Sequence, residues 1–95
     1  MAAIGVLLLE LRLEHSHSLK DKRQVVLSLK TRLRERFNVA VSEIDFQDTW
    51  QRSMIAAVTV ASAREPAAHV LQSAERTAAE LLGGQLVSAS VEWLD

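Results

Sequence analysis

The apolar residues of this chain recur with two different spacings, and the order in which those spacings alternate leaves few architectures open. Leu7, Leu9, Leu11 and Leu13 occupy alternate positions, with Glu10 and Arg12 between them, which is the period of a strand. The pattern predicts a first strand over Ala3 to Glu14, and its near-continuous apolar start suits a central place in a sheet. Val25, Val26, Leu29, Leu33 and Phe37 then recur at threes and fours, the period of a helix. That helix is expected to start at Ser18-Leu19-Lys20-Asp21, where a serine hydroxyl can satisfy a free amide of the first turn and an acid faces the helix dipole. It is expected to end near Phe37-Asn38.

A second strand begins with Val39 and Val41 in phase and continues with Ile44 and Phe46 out of phase, so a β-bulge is expected near Ser42-Glu43. Gln47 to Gln51 reads as a hairpin connection. The third strand runs from Arg52 to Ala61, with Met54, Ala56, Val58 and Val60 on one face. Pro66 suits a first helical turn and Gly83-Gly84 a helix end, and they bracket a second helix with the stripe Ala67, Val70, Leu71, Ala74, Ala78, Leu81 and Leu82. In the last strand Val87, Ala89, Val91 and Trp93 alternate with Ser88, Ser90 and Glu92, which predicts a half-buried strand. The order β-α-β-β-α-β, with two helical crossovers and one hairpin, predicts an α+β, ferredoxin-like fold: a four-stranded antiparallel sheet with two helices on one face.

At 95 residues this is a single domain, read here as 1–95, and 48% hydrophobic residues suffice for one core. The chain has no cysteine, which removes disulfides, thiolate catalysis and cysteine-based zinc sites and makes the cytoplasm the expected setting. The apolar run from Ala2 to Leu9 is broken by Glu10 and Arg12 far short of a membrane span of about 20 residues, so neither a signal peptide nor a membrane partner is expected.

The formal net charge of -1 conceals a division. Lys20 to Arg36 holds seven basic residues against two acidic ones, a net +5, while the rest of the chain holds four basic and ten acidic, a net -6. The first helix is therefore the candidate electrostatic surface, with Lys20, Arg23, Lys30 and Arg34 along one flank. The topology also brings the end of the first strand, the start of the first helix and the hairpin to one pole. His15 to Arg23 and Asp45 to Arg52 should meet there, and the helix N-terminus, with Lys20, Lys22, Arg23 and Arg52 close by, is a candidate holder of phosphate or carboxylate.

The segments His17-Ser18-Leu19-Lys20-Asp21-Lys22-Arg23, Arg36-Phe37-Asn38-Val39 and Gln47-Asp48-Thr49-Trp50-Gln51-Arg52 resemble those of the YlxP-like family of small bacterial proteins of unknown function. The likeness runs over nearly the whole chain. Thr49 departs from it where a larger apolar residue is expected, which bears on hairpin packing alone. The resemblance implies a ferredoxin-like fold, no established enzymatic activity, no agreed ligand, and genes neighbouring those for translation factors and ribosome maturation.

Each candidate has a plainer reading. The basic flank serves RNA phosphates or is a solvated helix face; without aromatic residues in an RNP-type pattern on the strands, RNA contact would be to phosphates and shape rather than by base stacking. Trp50, with Phe46, Gln51 and Arg52, forms a protein-binding hot spot or closes the core. His15 and His17 are a solvated turn unless Asp45 or Asp48 completes a metal site, and two ligands do not make one. Asp45, Asp48, His15 and His17 are the only clustered acid-base groups, Ser18 is explained as a helix cap, and no nucleophile elbow or phosphate loop is present, so no catalytic residue is assigned.

The sequence thus reads as a non-enzymatic binding domain without cofactor or metal. It contacts RNA or ribosomal particles, not DNA, through His17, Lys20, Lys22, Arg23, Lys30, Arg34 and Arg52. The competing readings are a protein-interaction or structural module, with Phe46, Trp50 and Gln51 as its surface, that forms a homodimer through the edge of strand two or four, and a binder of small anions at the start of the first helix.

Overall fold

Leucine at every second position of the first strand drives the fold. Leu7, Leu9 and Leu11 are wholly buried on one face of β1 (Ala3–Arg12), and the intervening Ile4, Val6, Leu8 and Glu10 are half-buried on the other. The computed structural model describes residues 1–94; Asp95, the last residue of the single-domain reading, lies outside the described residues. After β1 come α1 (Leu19–Arg36), β2 (Ala40–Asp45), β3 (Arg52–Ala61), α2 (Arg64–Leu82), a 3-10 turn at Gly83–Gln85, and β4 (Leu86–Trp93). The sheet order is β2-β3-β1-β4 with every neighbouring pair antiparallel, the ferredoxin-like arrangement.

Both helices cover the face that carries the odd-numbered residues of β1. Val26, Leu29 and Leu33 of α1 and Leu71, Ala74, Ala78 and Leu82 of α2 join Leu7, Leu9, Leu11, Val41, Ile55 and Ala57 in one core. The alanines of α2 let that helix lie close to β1 and β3. Gly5 marks the tightest approach, since a Cβ there would stand 2.7 Å from Leu71 Cδ1 and 2.9 Å from Trp93 Cζ3.

Element boundaries depart from expectation where side chains intervene. β1 stops at Arg12, not Glu14: Leu13 N–H still donates to Gln51 O in the β1–β3 register, but Ser16 N–H then donates to Leu13 O and closes a turn. β2 begins at Ala40, and its bulge lies between Glu43 and Asp45, just beyond the expected Ser42-Glu43. The largest departure is β4. Its alternation predicts half-burial, yet Val87, Ser88, Ala89, Ser90, Val91 and Glu92 are all exposed. Hydrophobic alternation assigns a strand its faces, but α2 covers mainly β1 and β3 and reaches β4 only in part, at its ends, where Leu86 packs on the core and Trp93 on Gly5. Trp93 is half-buried, against Gly5 and under the Arg64 guanidinium at 4.8 Å.

Candidate functional site

The pole is built around a buried lysine. Lys22 shares the α1 stripe of Val26, Leu29 and Leu33, and is 1% exposed. Its ammonium donates to the carbonyl of Phe46 and to those of Thr49 (2.7 Å), Arg52 (3.1 Å) and Gln47 (3.4 Å), and pairs with Glu43 Oε2 at 2.9 Å. Glu43 in turn accepts from the hydroxyl of the buried Ser53. An ammonium has three protons, so these acceptors saturate it. Lys22 therefore cannot meet a phosphate; that part of the expected contact surface is corrected. It closes the hairpin onto α1.

The hairpin it holds is shaped by local polar contacts. Phe46 adopts a positive φ of 64°, rare for a side chain of its size, with its N–H donating to Asp45 Oδ1 at 2.8 Å and its carbonyl accepting from Thr49 N–H at 3.0 Å. The Arg52 guanidinium lies over the Phe46 ring at 3.9 Å and pairs with Glu10 at 3.0 Å across the sheet. The Gln51 amide donates to Glu14 O and Ser16 O, each at 3.3 Å, tying the hairpin to the turn after β1. The two polar segments do meet at one pole. Their contacts are largely internal, so Phe46, Gln51 and Arg52 are committed to the pole's own structure, and Trp50, half-exposed, is the large apolar side chain presented outward beside the exposed Gln47, Asp48 and Thr49.

The start of α1 is likewise occupied by the chain itself. Ser18 Oγ accepts from Asp21 N–H at 3.1 Å, and Asp21 Oδ2 accepts from His17 N–H at 3.0 Å. This reciprocal cap supplies a negative charge where an external anion would bind, which disfavours the small-anion reading of that tip. His15 and His17 are exposed, and among the described residues no three His, Cys, Asp or Glu side chains are grouped to hold a metal.

The flank of α1 is the surface left open. Lys20, Arg23, Lys30 and Arg34 follow one another at spacings of three, seven and four, so they lie along one stripe about 20 Å long. Lys20, Arg23 and Arg34 are exposed and Lys30 is half-buried, and none of the four pairs with an acid among the described residues. Arg34 has a second occupation: its Nη2 donates to Val41 O at 3.1 Å, on the outer edge of β2. The exposed Leu27 interrupts the stripe and, with Arg23, Val26, Lys30 and Glu43, lines a shallow groove between α1 and β2.

Two signals for the buried pair were present in the sequence. Lys22, Val26, Leu29 and Leu33 are spaced by four, three and four, so the lysine falls on the buried stripe, and Glu43 falls on the Val41 face of β2. The basic character of Lys22 masked the periodicity.

Residues 4–91 match the family described as protein of unknown function (DUF503). The chain belongs to that family. Among DUF503 relatives, the uncharacterized protein YlxP of Bacillus subtilis (strain 168) is 49% identical over 47 residues, a match spanning 50% of this chain and 51% of that protein. The DUF503 chain also resembles solved structures. The de novo designed protein Foldit4 superposes with a TM-score of 0.61 at 10% identity, covering 100% of this chain and 98% of that one. A dimeric ferredoxin-like protein of unknown function from Thermobifida fusca YX superposes at 0.51 with 15% identity, covering 96% and 90%. At such identities the likeness is one of fold. Neither the family description nor the relative's name carries an enzymatic activity, and no described helix is long and apolar enough to cross a membrane.

Proposed function

We propose that this DUF503 domain is a non-enzymatic binding module that contacts RNA phosphates through the open flank of α1, with Lys20, Arg23 and Lys30 as its principal contacts and Arg34 and His17 at its margins. The observation that carries the reading is that these α1 cations lie along one stripe with no acid paired to them among the described residues. Unneutralised charge on a helix face releases counterions when it meets a polyanion, whereas a paired charge gains little. The setting proposed, RNA of ribosomal particles during translation or ribosome maturation, rests on the gene context implied by the YlxP-like resemblance.

Co-sedimentation with ribosomal particles over a range of salt tests it. With about three phosphates engaged, affinity should fall roughly 20- to 40-fold between 50 and 200 mM salt. The triple variant Lys20→Glu, Arg23→Glu, Lys30→Glu should abolish the association and leave the thermal midpoint nearly unchanged; undiminished association would refute the proposal. Arg34 is left intact because its guanidinium also serves the β2 edge.

A second reading, a self-associating module, is favoured by one observation: the two sheet edges are treated differently. Each has a register shift against its neighbour, but β2 is short and covered by Arg34, whereas β4 is longer, uncharged over Leu86–Val91 and exposed throughout that span but for the half-buried Leu86. The dimeric state named for the Thermobifida fusca neighbour is consistent with such a module.

A further inference from the structure

Leu94 N–H donates to Ile4 O at 3.0 Å, which sets the phase of the β1–β4 ladder. Hydrogen-bonded pairs recur every second residue in an antiparallel ladder. With Val6 opposite Glu92, Leu8 opposite Ser90 and Glu10 opposite Ser88, the inward-bonding residues of β4 are Ser88, Ser90 and Glu92. The amides and carbonyls of Ala89 and Val91 therefore point away from the sheet, along an edge that no other described strand pairs with, while Val87 sits at a register shift between Ser88, opposite Glu10, and Leu86, opposite Leu11.

The sequence of that edge is a palindrome: Val87-Ser88-Ala89-Ser90-Val91 reads the same in both directions. Two antiparallel copies of it, related by a two-fold axis through Ala89, match residue for residue. Val87 of each copy lies opposite Val91 of the other, Ser88 opposite Ser90, and Ala89 opposite itself. The parity agrees around the axis, because Ala89 and Val91 offer outward-pointing groups; the central 89–89 pair supplies about two main-chain hydrogen bonds, and Val91 of each copy adds to them opposite the register shift at Val87. Val91, 39% exposed, lies opposite Leu7 on the helix side of β4, and Val87 is 48% exposed; each would pack against its counterpart in the second copy. Glu92, the only charge on the strand, falls opposite Leu86 and away from its own image. In an isologous interface residue i of one copy meets j of the other and j meets i, and the palindrome makes the two members of every such pair alike.

We propose that the partner of β4 is a second copy of this chain, joined antiparallel about a two-fold axis at Ala89 to give a continuous eight-stranded sheet with the helices of both copies on one face. The inference rests on the self-association reading and adds the strand, the register and the axis. An edge of this length and apolarity, left bare, is otherwise an aggregation template of the kind that Arg34 suppresses at β2.

Sedimentation equilibrium of the full chain at micromolar to hundred-micromolar concentration tests the self-association; a monomer throughout overturns both it and this inference. If a dimer forms, Ala89→Pro tests the strand, since the proline removes only an outward amide and leaves the β1 ladder intact. Its dimer dissociation constant should rise at least tenfold while circular dichroism stays native. An unaffected dimer would place the interface elsewhere, refuting the β4 inference but not self-association. Should the proline variant misfold, Val91→Lys supplies the same test from the side-chain side. The absence of native cysteine allows the register to be read directly. Ala89→Cys should cross-link to itself with a short thiol-reactive spacer, and Val87→Cys should cross-link to Val91→Cys when the two proteins are mixed. Val87→Cys alone should not, because its two copies would lie about 13 Å apart; efficient cross-linking of Val87→Cys alone would overturn the register.

Discussion

Lys22 illustrates how a residue's chemistry is decided by its position on a helix. On an exposed face an ammonium is a point charge for a partner. On the buried stripe of α1 it becomes the centre of a cage of four carbonyls and the Glu43 carboxylate, and it organises a hairpin that has little apolar core of its own. Removing one member of such a buried pair leaves the other desolvated without compensation. Lys22→Met, which keeps the stem, is expected to cost about 3–5 kcal/mol. That is a large share of the total stability of a domain this small, and it should be read as a lowered urea midpoint. Lys20→Met, on the exposed side of the same turn, should stay within about 0.5 kcal/mol. Equal losses in the two variants would show that the cage contributes nothing.

At the scale of elements, fit between neighbours sets which substitutions matter. α1 is capped reciprocally by Ser18 and Asp21, so Ser18→Ala should cost about 1 kcal/mol in denaturant titration, the usual loss of a side-chain cap. Between α2 and the sheet there is no spare room at Gly5. Gly5→Ala would drive its methyl into Leu71 and Trp93, with an expected cost of about 1–3 kcal/mol from overpacking and a change in the tryptophan environment visible by fluorescence. Native stability in that variant would show that Trp93 moves aside freely. The strands divide in the same physical terms: β1 and β3 are paired on both sides, while β2 is guarded by Arg34 and β4 is not.

Across the whole molecule, extents of 45 × 21 × 20 Å describe a long domain with the hairpin and the start of α1 at one pole. Backbone protection should follow the sheet order. In hydrogen exchange the amides of β1 and β3 should be slowest, and those of Ala89 and Val91 fast at low protein concentration and slower as concentration rises, if the second copy pairs there. Concentration-independent exchange at those two amides would contradict the pairing. Element order, the single core, the bulge in β2 and the basic flank of α1 were legible in the residues alone, because each follows from local periodicity, capping chemistry or charge counting. The roles of Arg34 and Arg52 were not, nor was the carbonyl cage of Lys22, although its place on the buried stripe was; each is defined by partners more than six positions away along the chain. Nor was the exposure of β4, because alternation shows which residues share a face and cannot show whether a helix reaches far enough to cover it. Local spacing and composition are enough to assign the helices, the strands and their apolar faces. Which charges are spent inside the molecule and which remain for a partner is set by the packed fold, because burial and pairing depend on what it brings within a few ångströms.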